Sequence, residues 1–340
     1  MIETILGKIK KEEVGVALPH EHILCDLRPS LDLTSLEPHF HEKLSINNRY
    51  VINNDPYLIC DNAFYDDEEI AVKELEYFKA CGGNTIFDCT TFTPDYKKLM
   101  YISKKSGVNV VMGTGYYVDC YFSDALRKMT VEERAEKMIK DITVGFDGAD
   151  CKAGFIGEIG TSEIITEDEW KNVEAAALAS LKTGASIHFH TALWERNGID
   201  IIKKVTSLGV RPQKICIDHI DVNIRQDYIE ELLDLGAYVE FDNFGKEFFI
   251  PKRDTGVLRG RFAYDYERCV SIKSLIDKGY INRILLTTDI CLKSMLISYG
   301  GNGFAHVIRN IPSMLKDVGI TQEQIKILLE SNPADFFDVK

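Results

Sequence analysis

Eight histidines are spread along this chain of 340 residues, and six of them fall in three His-x-His pairs: His20-Glu-His22, His39-Phe-His41 and His188-Phe-His190. Two imidazoles two residues apart on an extended strand point to the same face, where they can grip one metal ion. The first pair closes the apolar run Val14-Gly-Val-Ala-Leu18, and the third ends another, Ala185-Ser-Ile-His-Phe-His190. Any such pair has this geometry, so the weight falls on what recurs at the ends of the other apolar runs. There stand Glu158 in Ile156-Gly-Glu-Ile159, His219 after Lys214-Ile-Cys-Ile-Asp218, and Asp289 after Arg283-Ile-Leu-Leu-Thr-Thr288.

The elements that would position these residues alternate regularly. Eight short apolar runs read as strands, near 14–18, 84–91, 108–115, 153–159, 185–190, 214–220, 237–241 and 283–289. Amphipathic stretches near 66–81, 95–106, 130–144, 166–183, 198–208, 226–235 and 267–278 read as the helices between them. Thr130-Val-Glu-Glu133 and Thr166-Glu-Asp-Glu169 have the spacing of capping boxes, and Gly82-Gly83 stops the first helix. Strands alternating with helices imply a parallel sheet, and eight units of this size predict an α/β fold, a closed (β/α)₈ TIM barrel. The expectation is a single domain over 1–340, with a possible N-terminal hairpin at 1–13 and a long loop after strand one, from Ile23 to Tyr65. A two-domain doubly wound fold lacks support, because Gly113-Thr-Gly115 follows the third strand and has no third glycine.

In such a barrel the chemistry sits at the C-terminal ends of the strands. Reading those ends collects His20 and His22 from strand one, Glu158 from four, His190 from five, His219 from six and Asp289 from eight. Four imidazoles and two carboxylates suit zinc, manganese or a similar divalent ion. Six ligands exceed what one catalytic zinc with an open position needs, so the set fits two cations. His188 lies one pleat deeper than His190 and reads as a supporting or structural residue. His39 and His41 fall in the long loop, and His306 on a late helix.

Taken together, Pro19-His-Glu-His22, Ile156-Gly-Glu-Ile-Gly-Thr161, His190-Thr191, His219 and Asp289 resemble the phosphotriesterase family of the amidohydrolase superfamily. Tyr57-Leu-Ile-Cys-Asp-Asn62, Phe241-Asp-Asn-Phe-Gly245, Asp289-Ile-Cys-Leu-Lys293, Tyr299-Gly-Gly-Asn-Gly303 and Asn332-Pro-Ala-Asp-Phe-Phe337 look closest to its phosphotriesterase-related and lactonase-like branch. The resemblance runs nearly end to end. It implies a binuclear site, zinc first and manganese or another divalent ion as alternatives. His20, His22 and Asp289 would hold the buried ion, His190 and His219 the exposed one, and Glu158 would bridge. Lys152 precedes its strand and looks unsuited to the carboxylated-lysine bridge of other members. A hydroxide between the ions would attack a carbonyl or phosphoryl centre, with Asp289 relaying the proton, and Tyr117 matches a position near the exposed ion.

Charge and composition bound the partner. A net charge of −13 without clustered Lys and Arg argues against nucleic acid or an anionic membrane, leaving a small-molecule substrate. No apolar run suggests a membrane span and Met1-Ile-Glu-Thr4 does not open like a signal peptide, so a cytoplasmic protein is expected. Nine scattered cysteines without Cys-x-x-Cys indicate neither a disulfide framework nor a zinc knuckle. The resemblance suggests a homodimer. It also supplies three substrate classes: a lactone or carboxylic ester, including sugar and phosphosugar lactones, comes first, with an N-acyl amide or a phosphotriester as alternatives. Arg28, Lys246 and Lys293 follow strands one, seven and eight and are candidates to hold an anionic substrate group. A non-catalytic metal-binding barrel would be expected to have lost ligands, whereas all six positions are filled. An aldolase-type lysine is missing from the strand ends.

Overall fold

Apolar runs too short for helices and buried on both faces form parallel strands when helices return the chain between them. The computed structural model describes residues 1–92, 94–251 and 260–338. In it the runs become β1 (Ala17–Glu21), β2 (Thr85–Asp88), β3 (Asn109–Thr114), β4 (Ala153–Gly160), β5 (Ile187–His190), β6 (Ile215–Ile217), β7 (Tyr238–Phe241) and β8 (Ile284–Leu286). Each pairs in parallel with its neighbour in sequence, so the sheet runs from β1 to β8 in order. Side-chain and backbone groups join its ends: Thr287 Oγ1 lies 3.0 Å from the carbonyl oxygen of His20, and Glu21 accepts from the residues that follow β8. The result is the (β/α)₈ barrel expected from the sequence.

Helices α1 (Glu68–Ala80), α2 (Tyr96–Ser106), α3 (Val131–Thr143), α4 (Glu167–Thr183), α5 (Gly198–Ser207), α6 (Gln226–Asp234) and α7 (Asp265–Asp277) follow successive strands. Thr130 with Glu133 and Thr166 with Glu169 form the reciprocal capping boxes that their spacing predicts. Among the described residues no helix is long and apolar enough to cross a membrane.

Strand one starts later than the apolar run suggests. Gly15 takes a left-handed φ of +59°, and the Asn84 side chain lies 2.7 Å from where a Cβ would stand. The extended segment therefore begins at Ala17, which places His20 within the strand and His22 just past it.

Both chain ends meet below the strands. A hairpin pairs Ile2–Thr4 with Gly7–Ile9, and the N–H of Ile5 donates to the carbonyl of Val110 at 2.7 Å. The last helix, Asn332–Phe337, inserts Phe336 and Phe337 into a cluster with Ile2, Ala17, Phe87, Val111, Phe155 and Leu285. Phe337 stacks on Phe87 with ring centroids 3.5 Å apart, so the lower end of the barrel is filled by side chains.

The long segment after β1 is folded rather than loose. A short antiparallel pairing of Cys25–Asp26 with Phe64–Tyr65 closes its base, and Leu44, Ile52 and Ile59 form a small core of their own. It lies on the connection that follows β8. Arg49 donates to the carbonyls of Tyr299 and Ser294 at 2.8 and 3.1 Å, and the N–H of Ser294 donates to Asn62 Oδ1 at 2.7 Å.

Candidate metal centre

The strand ends converge on Glu158. Its Oε1 lies 3.4 Å from His22 Nε2, and its Oε2 lies 3.6 Å from His20 Nε2, 3.2 Å from His190 Nδ1 and 4.0 Å from His219 Nε2. Asp289 Oδ1 completes the group at 3.3 Å from His22 Nε2 and 3.8 Å from His20 Nε2. All six residues selected from the sequence are thus brought together. Two overlapping triplets, His20 with His22 and Asp289, and His20 with Glu158 and His219, have ligand atoms within 4.8 Å of one another.

Two imidazoles, those of His20 and His22, are hydrogen-bonded to outer partners, and a third, that of His219, stands against an acid. His20 Nδ1 donates to Glu240 Oε2 at 3.0 Å, with Asp218 Oδ2 3.4 Å away. His22 Nδ1 lies 2.9 Å from Thr90 Oγ1, and His219 Nδ1 lies 3.0 Å from Asp242 Oδ2. Fixing one ring nitrogen in this way leaves the other free to face inward, the arrangement typical of metal-ligating histidine. His219 and Asp289 also adopt left-handed backbone, with φ of 62° and 43°. For non-glycine residues that conformation costs about 1–3 kcal/mol and persists only where the surroundings enforce it. At His219 the enforcing contact is its own N–H, which donates to Asp242 Oδ2 at 2.8 Å.

The donor set fits divalent cations. His20 Nε2 and Glu158 Oε1 are buried, face the cluster, and have no hydrogen-bond partner among the described residues. Leaving such atoms unsatisfied is costly in an interior, and a cation removes the cost. Burial works to raise the Glu158 carboxyl, but His190, His20 and His22 pull it below its ordinary value. At Asp289 burial is likewise overcome, chiefly by Lys246, and the carboxyl is held well below the usual carboxylate range. Both acids are therefore ionised and ready to ligate.

Beneath this group lies a layer that the strand-end reading missed. His188 Nδ1 is 3.0 Å from Asp218 Oδ1 and 3.6 Å from Glu240 Oε2, the same two acids that hold His20. His188 thus occupies the supporting position expected from its depth, stacked on Phe337 with centroids 5.3 Å apart. The available signal was an acid inside a buried apolar run, as in Ile217-Asp218 and Val239-Glu240-Phe241.

The remaining sequence candidates have varied surroundings. Tyr117 stands beside the cluster, its ring 4.8 Å from His190, and with Phe92 and Tyr121 it forms an aromatic wall; Phe92 is 5.7 Å from His22. Burial pushes the Tyr117 phenol well above its ordinary value, so it stays protonated. Lys246 is buried and pairs with Asp289 Oδ2. Lys293 and Arg28, expected as anion holders, each have a carboxylate partner within the chain. Lys293 Nζ is 2.7 Å from Asp61 Oδ2, and Arg28 binds Asp26 through Nε and Nη2 at 2.7 and 2.6 Å while lying over the Phe64 ring. Both therefore pair with acids of the long segment. His39 pairs with Glu42 at 2.9 Å, His41 packs edge-on against Phe40, and His306 bonds Asp265 at 2.7 Å.

Comparison with known proteins agrees with this geometry. The family model described as the phosphotriesterase family matches residues 1–337. The N-acetyltaurine hydrolase of Danio rerio is 33% identical over 351 residues, covering 100% of this chain and 98% of that protein. A phosphotriesterase-related protein of Nematostella vectensis is 32% identical, covering 100% and 99%. Among solved structures, a resiniferatoxin-binding protein from Rhodobacter sphaeroides superposes with a TM-score of 0.94 at 32% identity, covering 100% of this chain and 96% of that one. The phosphotriesterase homology protein from Escherichia coli, complexed with phosphate in its active site, gives 0.79 at 28% identity, covering 96% and 99%. The family-model match over nearly the whole length, together with end-to-end relatives named as hydrolases, makes this chain a member of the phosphotriesterase family and a metal-dependent hydrolase.

Proposed function

We propose that the chain hydrolyses an N-acyl amide whose amine side carries an anionic group. The site would be held by two divalent cations, zinc first, on His20, His22, Glu158, His190, His219 and Asp289. The observation that carries this reading is the gathering of His20, His22, His190, His219 and Asp289 about Glu158, with His20 Nε2 and Glu158 Oε1 buried and without a hydrogen-bond partner among the described residues. The choice of bond rests on the end-to-end relatives named N-acetyltaurine hydrolase, at 31–33% identity. Lactone or carboxylic-ester cleavage, placed first from the sequence, would use the same donors on the same carbonyl chemistry and is the second reading.

Bound there, the cations would supply a Lewis acid for the acyl oxygen and acidify water toward a pKa of ~7. The chain's own residues would do the rest. Asp289, kept ionised by Lys246, accepts the proton released as water oxygen bonds to the acyl carbon, and returns it to the departing nitrogen as the C–N bond breaks. Phe92, Tyr117 and Tyr121 close one side of the site and exclude water beside His22 and His190. Lys246 is a buried ammonium already paired with Asp289, so its part is to hold that carboxylate in its charged form. The partner proposed is therefore a small molecule.

The test is an assay of zinc-loaded protein on N-acetyltaurine, N-acetylglycine, a neutral N-acetylamine and γ-butyrolactone, following release of acetate or acid. Turnover of the anionic amides, lost on chelation and restored by zinc, is expected. Turnover of the lactone with no amide cleavage would overturn the amide reading in favour of the second.

A further inference from the structure

Glu21 sits between two of the ligands in sequence but its side chain points the other way, into the seam between the first and last strands. It is fully buried, and among the described residues no Lys or Arg is hydrogen-bonded to it; four donors meet it instead. Its Oε1 lies 2.5 Å from Thr287 Oγ1, 2.6 Å from Thr288 Oγ1 and 2.9 Å from the N–H of Thr288, and its Oε2 accepts from the N–H of Ile290 at 2.7 Å. The two backbone N–H groups so held belong to the residues immediately before and after Asp289. Asp289 is one of only two non-glycine residues with positive φ among those described, at 43°, and β8 has already ended at Leu286. A residue in that sparsely populated conformation stays there only if its neighbours are pinned. His219, the other, is pinned through its own N–H by Asp242. At Asp289 the pinning is done on both flanks by one carboxylate.

We propose that Glu21 is a positioning residue for Asp289: by holding the N–H groups of Thr288 and Ile290 it fixes the turn that aims the Asp289 carboxylate at His20 and His22. The same strand thus supplies two ligands directly and sets the direction of a third across the barrel seam. This inference rests on the metal-site reading above, and its own content is the linkage between Glu21 and one ligand. A carboxylate is needed, not merely a polar side chain. Both of its oxygens accept, so an amide must present an NH₂ to a donor on one side or the other.

Glu74 provides the control. It is a second buried carboxylate that holds backbone N–H groups of the connection after β8, those of Ile297 and Ser298 at 3.0 and 2.8 Å, but it does so beyond the ligand. The experiment compares wild type, Glu21→Gln, Glu74→Gln and Thr288→Val for zinc affinity by chelator competition, for the visible absorption of the cobalt(II)-loaded protein, and for the melting temperature of the metal-free protein. Both glutamate variants should melt lower than wild type. Only Glu21→Gln should bind one of its two equivalents of zinc about tenfold more weakly, with altered cobalt bands. Thr288→Val, which removes a single hydroxyl donor, should shift the same equivalent about threefold and decides the matter if Glu21→Gln does not fold. Wild-type zinc affinity and cobalt spectrum in Glu21→Gln, or in Thr288→Val where that variant decides, would overturn the assignment, as would an equal loss in Glu74→Gln. Wild-type protein that takes up no divalent cation would instead overturn the reading of the site, and this inference with it.

Discussion

The strand ends and the loops above them treat charge in opposite ways. At the strand ends, acids and imidazoles crowd around Glu158 with few cations between them, and buried atoms such as His20 Nε2 and Glu158 Oε1 have no hydrogen-bond partner among the described residues. In the loops the charges are matched within the chain: Lys293 with Asp61, Arg28 with Asp26, Arg49 with backbone carbonyls. Lys246 stands at the boundary, a loop cation whose partner is the strand-end acid Asp289. The lesson is that an unsatisfied cluster marks where an external charge is to be accepted, whereas a satisfied one marks how the loops are fastened. Basic residues near a site are therefore poor evidence for an anion pocket until their partners are known.

That contrast breaks most sharply at Glu158. Glu158→Gln removes the acid on which the ligands converge and should lower kcat/KM about 10³-fold or more, equivalent to several kcal/mol of transition-state stabilisation. The measurement is steady-state kinetics alongside zinc content. A loss under tenfold with full zinc loading would remove Glu158 from the centre.

A loop substitution should act on stability instead. Lys293→Met removes one of the two lysines that lie 2.7 Å from the Asp61 carboxylate, leaving Lys43, and should cost about 2 kcal/mol in urea unfolding at neutral pH, while the KM ratio between anionic and neutral substrates stays put. Burial tends to raise the Asp61 carboxyl, but Lys293, Lys43 and the N–H of Leu44 hold it below its ordinary value. A depressed folded-state pKa gives stability that is present above the unfolded value of about 3.9 and lost as pH falls through the folded value. The gap between variant and wild type should therefore narrow only below about pH 4. A KM increase confined to anionic substrates would return Lys293 to the pocket.

The smallest effect is expected at Arg28→Ala. Its pair with Asp26 is partly exposed, so unfolding should shift by less than about 1 kcal/mol, with kinetics unchanged. A change of KM for an anionic substrate would show that the rim does more than fasten.

The six clustered residues were legible because each lies near the end of an apolar run, and both the run and the residue are local in sequence. Supporting groups were less so. Asp218 and Glu240 serve His20 from strands on another part of the barrel, and the pairing of Asp61 with Lys293 spans 232 positions. Nothing local distinguishes a lysine that will face an aspartate from one that will face a substrate. The late start of β1 was hidden for a related reason, since Gly15 turns left-handed where Asn84 packs against it. The alternation of strands and helices survives such errors because eight repeats of one pattern constrain the fold together.

Phe336 and Phe337 have a consequence for how this chain comes to be folded. The rings that plug the foot of the barrel come from the last helix described, against side chains contributed by Ile2, Phe87 and Phe155. A nascent polypeptide would expose that greasy hollow until residues 332–337 have left the ribosome exit tunnel. Chaperone capture during synthesis should concentrate on the interval between completion of β8 at Leu286 and emergence of Phe337.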